Sequence, residues 1–321
     1  MEQTKIQSDF AKDVLQGFSS DSKFLSSKYF YDEKGSKIFQ DIMQMPEYYL
    51  TDCELEIFQT KKQEIFEAFT NGDNKYDIIE LGAGDGSKTK VLLSHFIHNN
   101  ISFEYIPIDI SEEAVRNLII DLEKELPSLK TNGMVGDYFH LMEDLNQYDF
   151  SKKILMFLGS NIGNFSWLES IDFFKKLHSV MRPKDLLFIG FDLKKDPATI
   201  LNAYNDPHGH TSRFNLNLLQ RINTELNADF NLKSFKHKEI YNPQTGTAKS
   251  FLVSQKKQEV RISDLNKTIS FKEGESIFME MSQKFDEEMI ENLAENSGFE
   301  IVRNFHDERL YFMNSLWKLN D

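Results

Sequence analysis

The chain has 321 residues, of which 40% are hydrophobic and 27% are charged, and its formal net charge is −14. This composition is typical of a folded globular protein, and the length suits one domain with a smaller addition. A protein that binds nucleic acid needs clustered Lys and Arg to neutralise phosphates, and no such cluster interrupts the acidic background. We therefore expect a small-molecule partner and no nucleic acid.

Cys53 is the one cysteine in the sequence, which excludes an intrachain disulfide and gives no sign of a zinc site. His208 and His210 could suggest a metal, but they lack a carboxylate in register and are interpreted as loop residues. The N-terminal residues are polar, and no segment approaches the roughly 20 apolar residues that span a bilayer. The sequence predicts a cytoplasmic, monomeric protein with no membrane partner and no metal.

The pattern of apolar residues divides the chain into regions. The first 55 residues are predicted to be helical with a break at Pro46, and a longer helix is predicted over residues 54–69. Short apolar runs then alternate with amphipathic segments. The runs are DIIELG, FEYIPID, a weaker GMVGDYF, KILMFLG and LLFIGFD, and the helical segments between them are 88–96, 112–122 and 168–181. Such alternation indicates βαβ units and a parallel sheet that is buried on both faces.

The alternation lapses between about residues 196 and 283, where we predict one helix, 215–226, a loop at YNPQTGTAKS and alternating runs such as KSFLVSQ. A helix over 286–296 and the strand-like runs FEIVRNF and LYFMNSLWKL would complete a seven-stranded sheet. We therefore predict an α/β fold with two domains. Residues 56–196 plus 284–321 would form a Rossmann-like domain, and residues 1–55 plus 197–283 a smaller α+β substrate-binding domain.

The strongest local signal is the run ELGAGDG, which follows the first predicted strand and opens a helix near Ser87. Glycines allow a sharp turn and let a ligand approach the backbone closely. The dinucleotide fingerprint G-x-G-x-x-G fails, because Ser87 or Thr89 stands at the third glycine position when the count starts from Gly82 or Gly84. This disfavours an NAD-dependent oxidoreductase and favours the E-x-G-x-G-x-G form of class I S-adenosylmethionine-dependent methyltransferases, whose cofactor has no phosphate.

Polar residues also follow the next two predicted strands. Asp109 ends the second strand, where a carboxylate can accept hydrogen bonds from both ribose hydroxyls. Asp137 and Tyr138 follow in the third strand region and suit the amino group and the face of an adenine. Because the carboxyl ends of parallel strands share the edge at which open α/β sheets bind ligands, we predict a S-adenosylmethionine site made of Gly82, Gly84, Asp109, Asp137 and Tyr138.

Five blocks of the chain resemble the histidine-specific S-adenosylmethionine-dependent methyltransferases, the family that makes Nα-trimethylhistidine (hercynine) on the way to ergothioneine. These blocks are KYFYDEKGSKIFQDIMQMPEYYLT (28–51), IIELGAGDGSKT, LGSNIGNF (158–165), AYND (203–206) and MEMSQKF (279–285). The resemblance spans nearly the whole chain, and its first block is long and specific. It implies an enzyme that trimethylates the α-nitrogen of L-histidine.

The resemblance implies an aromatic acceptor pocket lined by Tyr31, Phe39 and Tyr48. Each methylation replaces an N–H donor by a methyl group, whereas an aromatic face tolerates that change and attracts quaternary ammonium by roughly 0.5–2 kcal/mol. A proton must leave the α-amine before each transfer, and either a tyrosine hydroxyl or a water molecule could accept that proton. Tyr31 is the candidate catalytic residue. Without the resemblance, the three aromatic residues would be assigned to the core.

The resemblance also implies polar contacts along the rest of histidine. Asn164 and Tyr204 would hold the α-carboxylate and the α-amine. Glu280 and Ser282 alternate on a predicted strand and so face one side, where a carboxylate and a hydroxyl can bind the two imidazole nitrogens. Phe278 departs from the pattern, since relatives often carry a basic or imidazole side chain there, and this affects fine specificity.

Two other functions stay open on the sequence. A methyltransferase of the same family could act on another aromatic amino acid or amine, but an indole has no use for two polar contacts at ring nitrogens. A non-catalytic binding module with a methyltransferase-like fold would fail to bind S-adenosylhomocysteine.

Overall fold

The computed structural model describes residues 8–70, 75–137, 141 and 152–320. The chain divides into two compact units. The smaller comprises the described residues up to Tyr49 together with Lys195–Ser282, and the larger comprises those of Leu50–Lys194 together with the chain from Gln283 onward. None of the helices in these ranges combines the length and apolar character needed to cross a membrane.

The helices and strands of the described residues follow one another along the chain. They are α1 (Asp9–Ser19), α2 (Glu33–Met43), α3 (Tyr49–Thr70), β1 (Asp77–Leu81), α4 (Thr89–His98), β2 (Glu104–Asp109), α5 (Glu112–Glu125), β3 (Lys130–Thr131), β4 (Met134–Val135), β5 (Lys153–Phe157), α6 (Trp167–Val180), β6 (Leu186–Asp192), α7 (Pro197–Tyr204), α8 (His210–Glu225), β7 (Phe235–Asn242), β8 (Thr247–Ser254), β9 (Gln258–Ile262), β10 (Lys267–Phe271), β11 (Ser276–Gln283), α9 (Glu287–Asn296), β12 (Phe299–His306) and β13 (Phe312–Leu319).

The larger unit is built on an eight-stranded sheet in the order β12-β13-β6-β5-β1-β2-β3, with β4 also paired to β2. The strands β1 to β6 pair in parallel, and β13 joins β6 in the antiparallel direction. Every residue of β5 and β6 is buried, as central strands of such a sheet require. The predicted Rossmann-like α/β fold is confirmed.

The predicted count of seven strands is wrong by one, because the chain after α5 pairs with β2 in two short pieces. Lys130 pairs opposite Glu104, and Met134 pairs opposite Ile108. Gly133 separates the pieces, and a Cβ there would lie 2.5 Å from side-chain atoms of α5. Within residues 133–137, the part of the run GMVGDYF that the structure describes, the strand covers Met134–Val135.

The smaller unit packs helices α1, α2 and α8 with a three-stranded sheet, β11-β8-β7, and a two-stranded ribbon, β10-β9; β7 pairs with β8, and β9 with β10, in the antiparallel direction. The helix Pro197–Tyr204 was not predicted, although Asp196 caps it by accepting hydrogen bonds from Ala198 N and Thr199 N at 3.0 and 3.1 Å. Its first residue is proline, a common helix start. The smaller unit is α+β, as predicted.

The predicted loop at YNPQTGTAKS is wrong over most of its length. Tyr241 and Asn242 end β7, and β8 begins at Thr247. The turn between them is closed by the Gly246 amide, which donates to Asn242 O at 2.8 Å. Gly246 has φ +73°, a conformation that glycine adopts without strain. The segment is therefore a hairpin, in which β7 and β8 extend into the predicted loop from its two ends.

The N-terminal helices break as predicted around Pro46, because α2 ends at Met43 and α3 begins at Tyr49. The start of α3 is earlier than the predicted residue 54. Between α1 and α2 the chain is mostly non-helical, with one short turn at Ser27–Tyr29.

Candidate active site

The glycine loop, residues 82–86, is a turn at the carboxyl end of β1. Gly82, Gly84 and Gly86 have φ values of +74°, +56° and +62°, in the left-handed region. The amides of Gly82 and Ala83 donate to Ile108 O at 2.8 and 3.1 Å, which ties the loop to the end of β2. A Cβ at Gly84 would meet no atom within 4 Å. The backbone at Gly84 is therefore open to a ligand.

Asp109 lies beside this loop at the end of β2. Its Oδ2 accepts a hydrogen bond from Gly84 N at 3.0 Å, and its Oδ1 accepts one from Ser111 N at 2.9 Å. A carboxylate has about four acceptor sites, so each oxygen keeps capacity for a hydroxyl donor. Gly136 N donates to Asp109 O at 3.0 Å, which brings the segment that contains Asp137 alongside.

The predicted cofactor residues Gly82, Gly84, Asp109 and Asp137 thus lie at one edge of the sheet, whereas Tyr138 falls outside the described residues. This edge fits S-adenosylmethionine, because it offers an open glycine backbone and a carboxylate with spare acceptor capacity for a ribose. In the described ranges, no three His, Cys, Asp or Glu side chains are grouped as a metal site would require.

Glu80, the acidic residue of the glycine motif, is buried beneath the loop. It is 3% exposed. Thr89 Oγ1 donates to its Oε1 at 2.9 Å, and Tyr105 Oη donates to its Oε2 at 2.5 Å. Burial raises the pKa of Glu80 to about 7 and outweighs these two hydrogen bonds, which act in the opposite direction. Because Thr89 is the first residue of α4 and Tyr105 lies on β2, the two hydrogen bonds of Glu80 link α4 to β2.

We expect Glu80→Gln to gain stability relative to the wild type as the pH rises from about 5 to 8. The pKa in the folded state, about 7, exceeds the ordinary value of 4.5, so ionisation between these values disfavours the folded chain. The glutamine removes this penalty, which amounts to about 3 kcal/mol. Urea unfolding at both pH values measures the difference, with exposed Glu67→Gln as the control. Parallel pH dependence in the wild type and Glu80→Gln would contradict the prediction.

In the smaller unit the predicted aromatic residues form one continuous row. Tyr31 and Phe39 have ring centroids 5.4 Å apart, Phe39 and Tyr48 are 6.2 Å apart, and Tyr48 and Tyr204 are 6.2 Å apart. All three pairs are edge-to-face, with interplanar angles of 82°, 79° and 73°. Tyr204 Oη then lies 3.1 Å from Ser282 Oγ. The row therefore ends on a polar pair.

Glu280 and Ser282 lie on β11, which confirms the predicted strand, and both side chains are half-buried. Phe278 precedes them on the same strand, where its amide donates to Lys23 O at 2.9 Å. The Phe278 ring packs against Phe251, with centroids 5.7 Å apart. The residue that departs from the family pattern thus has a packing role.

Two residues that the sequence analysis did not single out lie behind Tyr204. His237, 8% exposed, has its Nε2 3.0 Å from Tyr204 O and its Nδ1 2.9 Å from Asn215 Nδ2. The carbonyl can only accept, so Nε2 donates to it; Nδ1 then accepts from the Asn215 amide. Burial lowers the pKa of His237, in agreement with a neutral ring. The available signal was a histidine at a buried position of the alternating run FKHKEIYN.

Asn164 belongs to the larger unit, whereas the other acceptor-site candidates belong to the smaller one. It is exposed and ends the short turn Asn161–Asn164 that follows β5. A Cβ at Gly163 would lie 2.9 Å from Gln283 O, so the turn packs closely on Gln283 of the same unit.

The chain resembles known proteins over most of its length. The family model described as histidine-specific, S-adenosylmethionine-dependent methyltransferase matches residues 10–319. A histidine N-alpha-methyltransferase of Mycobacterium tuberculosis (strain CDC 1551 / Oshkosh) is 33% identical over 92% of this chain and 91% of its own. A protein of the same name from Mycolicibacterium smegmatis is 33% identical over 88% and 87%. Ergothioneine biosynthesis protein 1 of Schizosaccharomyces pombe is 27% identical over 88% of this chain and 37% of its own. The chain therefore belongs to the family of histidine-specific, S-adenosylmethionine-dependent methyltransferases.

Proposed function

We propose that this enzyme transfers three methyl groups in succession from S-adenosylmethionine to the α-nitrogen of L-histidine, forming hercynine for ergothioneine biosynthesis. The observation that carries the proposal is the row of aromatic rings that ends on the Tyr204–Ser282 pair, at 3.1 Å, two residues from Glu280. Family membership and the names of the mycobacterial relatives support the same acceptor.

The imidazole would be recognised by β11. Glu280 carries an acceptor-only carboxylate, which suits a ring N–H, and the Ser282 hydroxyl can rotate to serve the other ring nitrogen. Tyr204 Oη contacts Ser282 Oγ and so restricts that rotation. A phenyl ring offers no ring nitrogen and an indole offers one N–H, so neither would match both Glu280 and Ser282, which disfavours them as acceptors.

The α-nitrogen would lie against the aromatic row. Tyr31, Phe39 and Tyr48 provide ring faces whose attraction for a cation persists as N–H groups are replaced by methyl groups. Tyr31 is the proposed catalytic residue: its hydroxyl oxygen would take the proton of the α-ammonium while its own O–H proton passes to a water molecule. Asn164 and Tyr204 are the proposed partners of the α-carboxylate and α-amine. These residues orient the nitrogen lone pair for an in-line displacement.

The donor would occupy the glycine edge of the sheet. When bound, S-adenosylmethionine supplies an activated methyl group on its sulfonium. Gly82 and Gly84 let the ligand approach the backbone, Asp109 would accept both ribose hydroxyls, and Asp137 with Tyr138 would hold the adenine.

Mass spectrometry of a reaction with L-histidine and S-adenosylmethionine tests this proposal. We expect products that carry one, two and finally three added methyl groups, all on the α-nitrogen. Tryptophan, tyrosine and histamine serve as competing acceptors and should react far more slowly. Methylation of the ring, or preference for another amine, would contradict the assignment. A protein that does not bind S-adenosylhomocysteine would instead be a non-catalytic module.

A further inference from the structure

One acidic side chain of the larger unit is completely buried. Glu54, on α3, is 0% exposed. Its carboxylate forms an ion pair with Lys88 Nζ and accepts hydrogen bonds from Gly159 N, at 3.2 Å to Oε1 and 3.0 Å to Oε2, and from Asn314 Nδ2 at 2.8 Å. A buried carboxylate is very unfavourable without such partners. These three groups therefore keep a charge in the interior.

The neighbouring strands are adapted to this carboxylate. Gly190 of β6 pairs opposite Asn314 of β13, and a Cβ at Gly190 would overlap Glu54 Oε1. Asn314 Oδ1 is buried without a hydrogen-bond partner in the part of the chain that the structure describes. The Asn314 side chain thus points its Nδ2 donor at Glu54 and leaves its Oδ1 acceptor unsatisfied. The opposite orientation would place Oδ1 against the Glu54 carboxylate, where two acceptors would repel each other.

Two of the three donors belong to loops at the carboxyl edge of the sheet. Lys88 connects the glycine loop to α4. Gly159 follows β5 and opens the turn that ends at Asn164. The two loops also approach each other directly, because a Cβ at Gly82 would lie 3.2 Å from Asn161 Nδ2. One carboxylate therefore joins the loop proposed for the donor to the loop proposed for the acceptor.

We propose that Glu54 is a positioning residue that holds these two loops in one arrangement and thereby sets the affinities for cofactor and acceptor together. Its effect on the acceptor rests on the proposed function, through Asn164. Its effect on the cofactor does not depend on which acceptor the enzyme uses. Glu54 acts through Lys88 and Gly159, and its loss should change both binding constants in the same direction.

The variant Glu54→Gln tests this proposal, because it removes the charge and retains the size of the side chain. We expect a folded protein whose dissociation constant for S-adenosylhomocysteine rises about tenfold, with a rise in the KM for histidine. The control Glu67→Gln changes an exposed residue on the same helix and should leave both constants unchanged. Titration calorimetry with S-adenosylhomocysteine alone needs no acceptor, so a wrong acceptor assignment would not affect this result.

A second variant, Asn314→Ala, removes one donor to Glu54 and leaves every charge in place, and it serves as the test if Glu54→Gln does not fold. The same two constants should rise by about threefold. A merely structural role predicts a lower melting temperature with unchanged ligand constants. That result in the folded variants, or a change in one constant alone, overturns the proposal.

Discussion

Replacing Asp109 by alanine should weaken the binding of S-adenosylhomocysteine by about 100-fold. The substitution removes the carboxylate and, with it, the two charge-assisted hydrogen bonds that the ribose hydroxyls would donate. It would also leave Gly84 N and Ser111 N without the acceptor that they contact at 3.0 and 2.9 Å, so the glycine loop would lose one of its ties to the end of β2. Titration calorimetry measures the dissociation constant directly.

Two further variants separate the causes of this loss. Asp109→Asn keeps one acceptor oxygen and should fall between the wild type and alanine. Asp121→Ala changes an exposed residue of α5 and should bind as the wild type does. A folded Asp109→Ala protein whose dissociation constant is within threefold of the wild type would rule out the ribose role.

Replacing Glu280 by alanine should raise the KM for histidine by about 100-fold and leave the dissociation constant of S-adenosylhomocysteine within about twofold. The reason is the loss of a charged acceptor for an imidazole N–H, with the partly buried Ser282 and Tyr204 left in place. Steady-state kinetics with varied histidine, alongside calorimetry, separates the two effects.

The controls for this variant lie nearby. Glu280→Gln keeps an acceptor oxygen without the charge and should show a smaller rise in KM. Glu273→Ala alters an exposed residue in the turn before β11 and should leave the kinetics unchanged. Unaltered histidine kinetics in Glu280→Ala would be incompatible with the proposed contact between Glu280 and the imidazole ring of histidine.

Elements with a strong hydrophobic signal could be predicted from the sequence. The runs KILMFLG and LLFIGFD are apolar at nearly every position and became the buried strands β5 and β6. The helix at Pro197–Tyr204 was missed because eight residues are too few to show a helical period, although its cap and proline were readable. The hairpin at Gly246 was predicted as a loop, because the strand ends that flank its turn, YN and TAKS, consist mostly of polar and small residues.

Only part of the candidate site could be predicted from the sequence. Aromatic residues are so common in this chain that the row from Tyr31 to Tyr204 needed the family pattern to distinguish it from core. Glu54 could not be found at all, since its partner Asn314 is 260 residues away and its burial is a property of the fold. His237 stands at a buried position of the alternating run FKHKEIYN, but its contact with Tyr204 O, 33 residues away, is a property of the fold.

A crystal structure of the enzyme with S-adenosylhomocysteine and L-histidine tests the central claim most directly. We predict that the two imidazole nitrogens lie about 2.7–3.2 Å from Glu280 and Ser282, and that both ribose hydroxyls contact Asp109 at similar distances. An imidazole bound away from β11, or a nucleoside bound away from the glycine loop, would contradict the account.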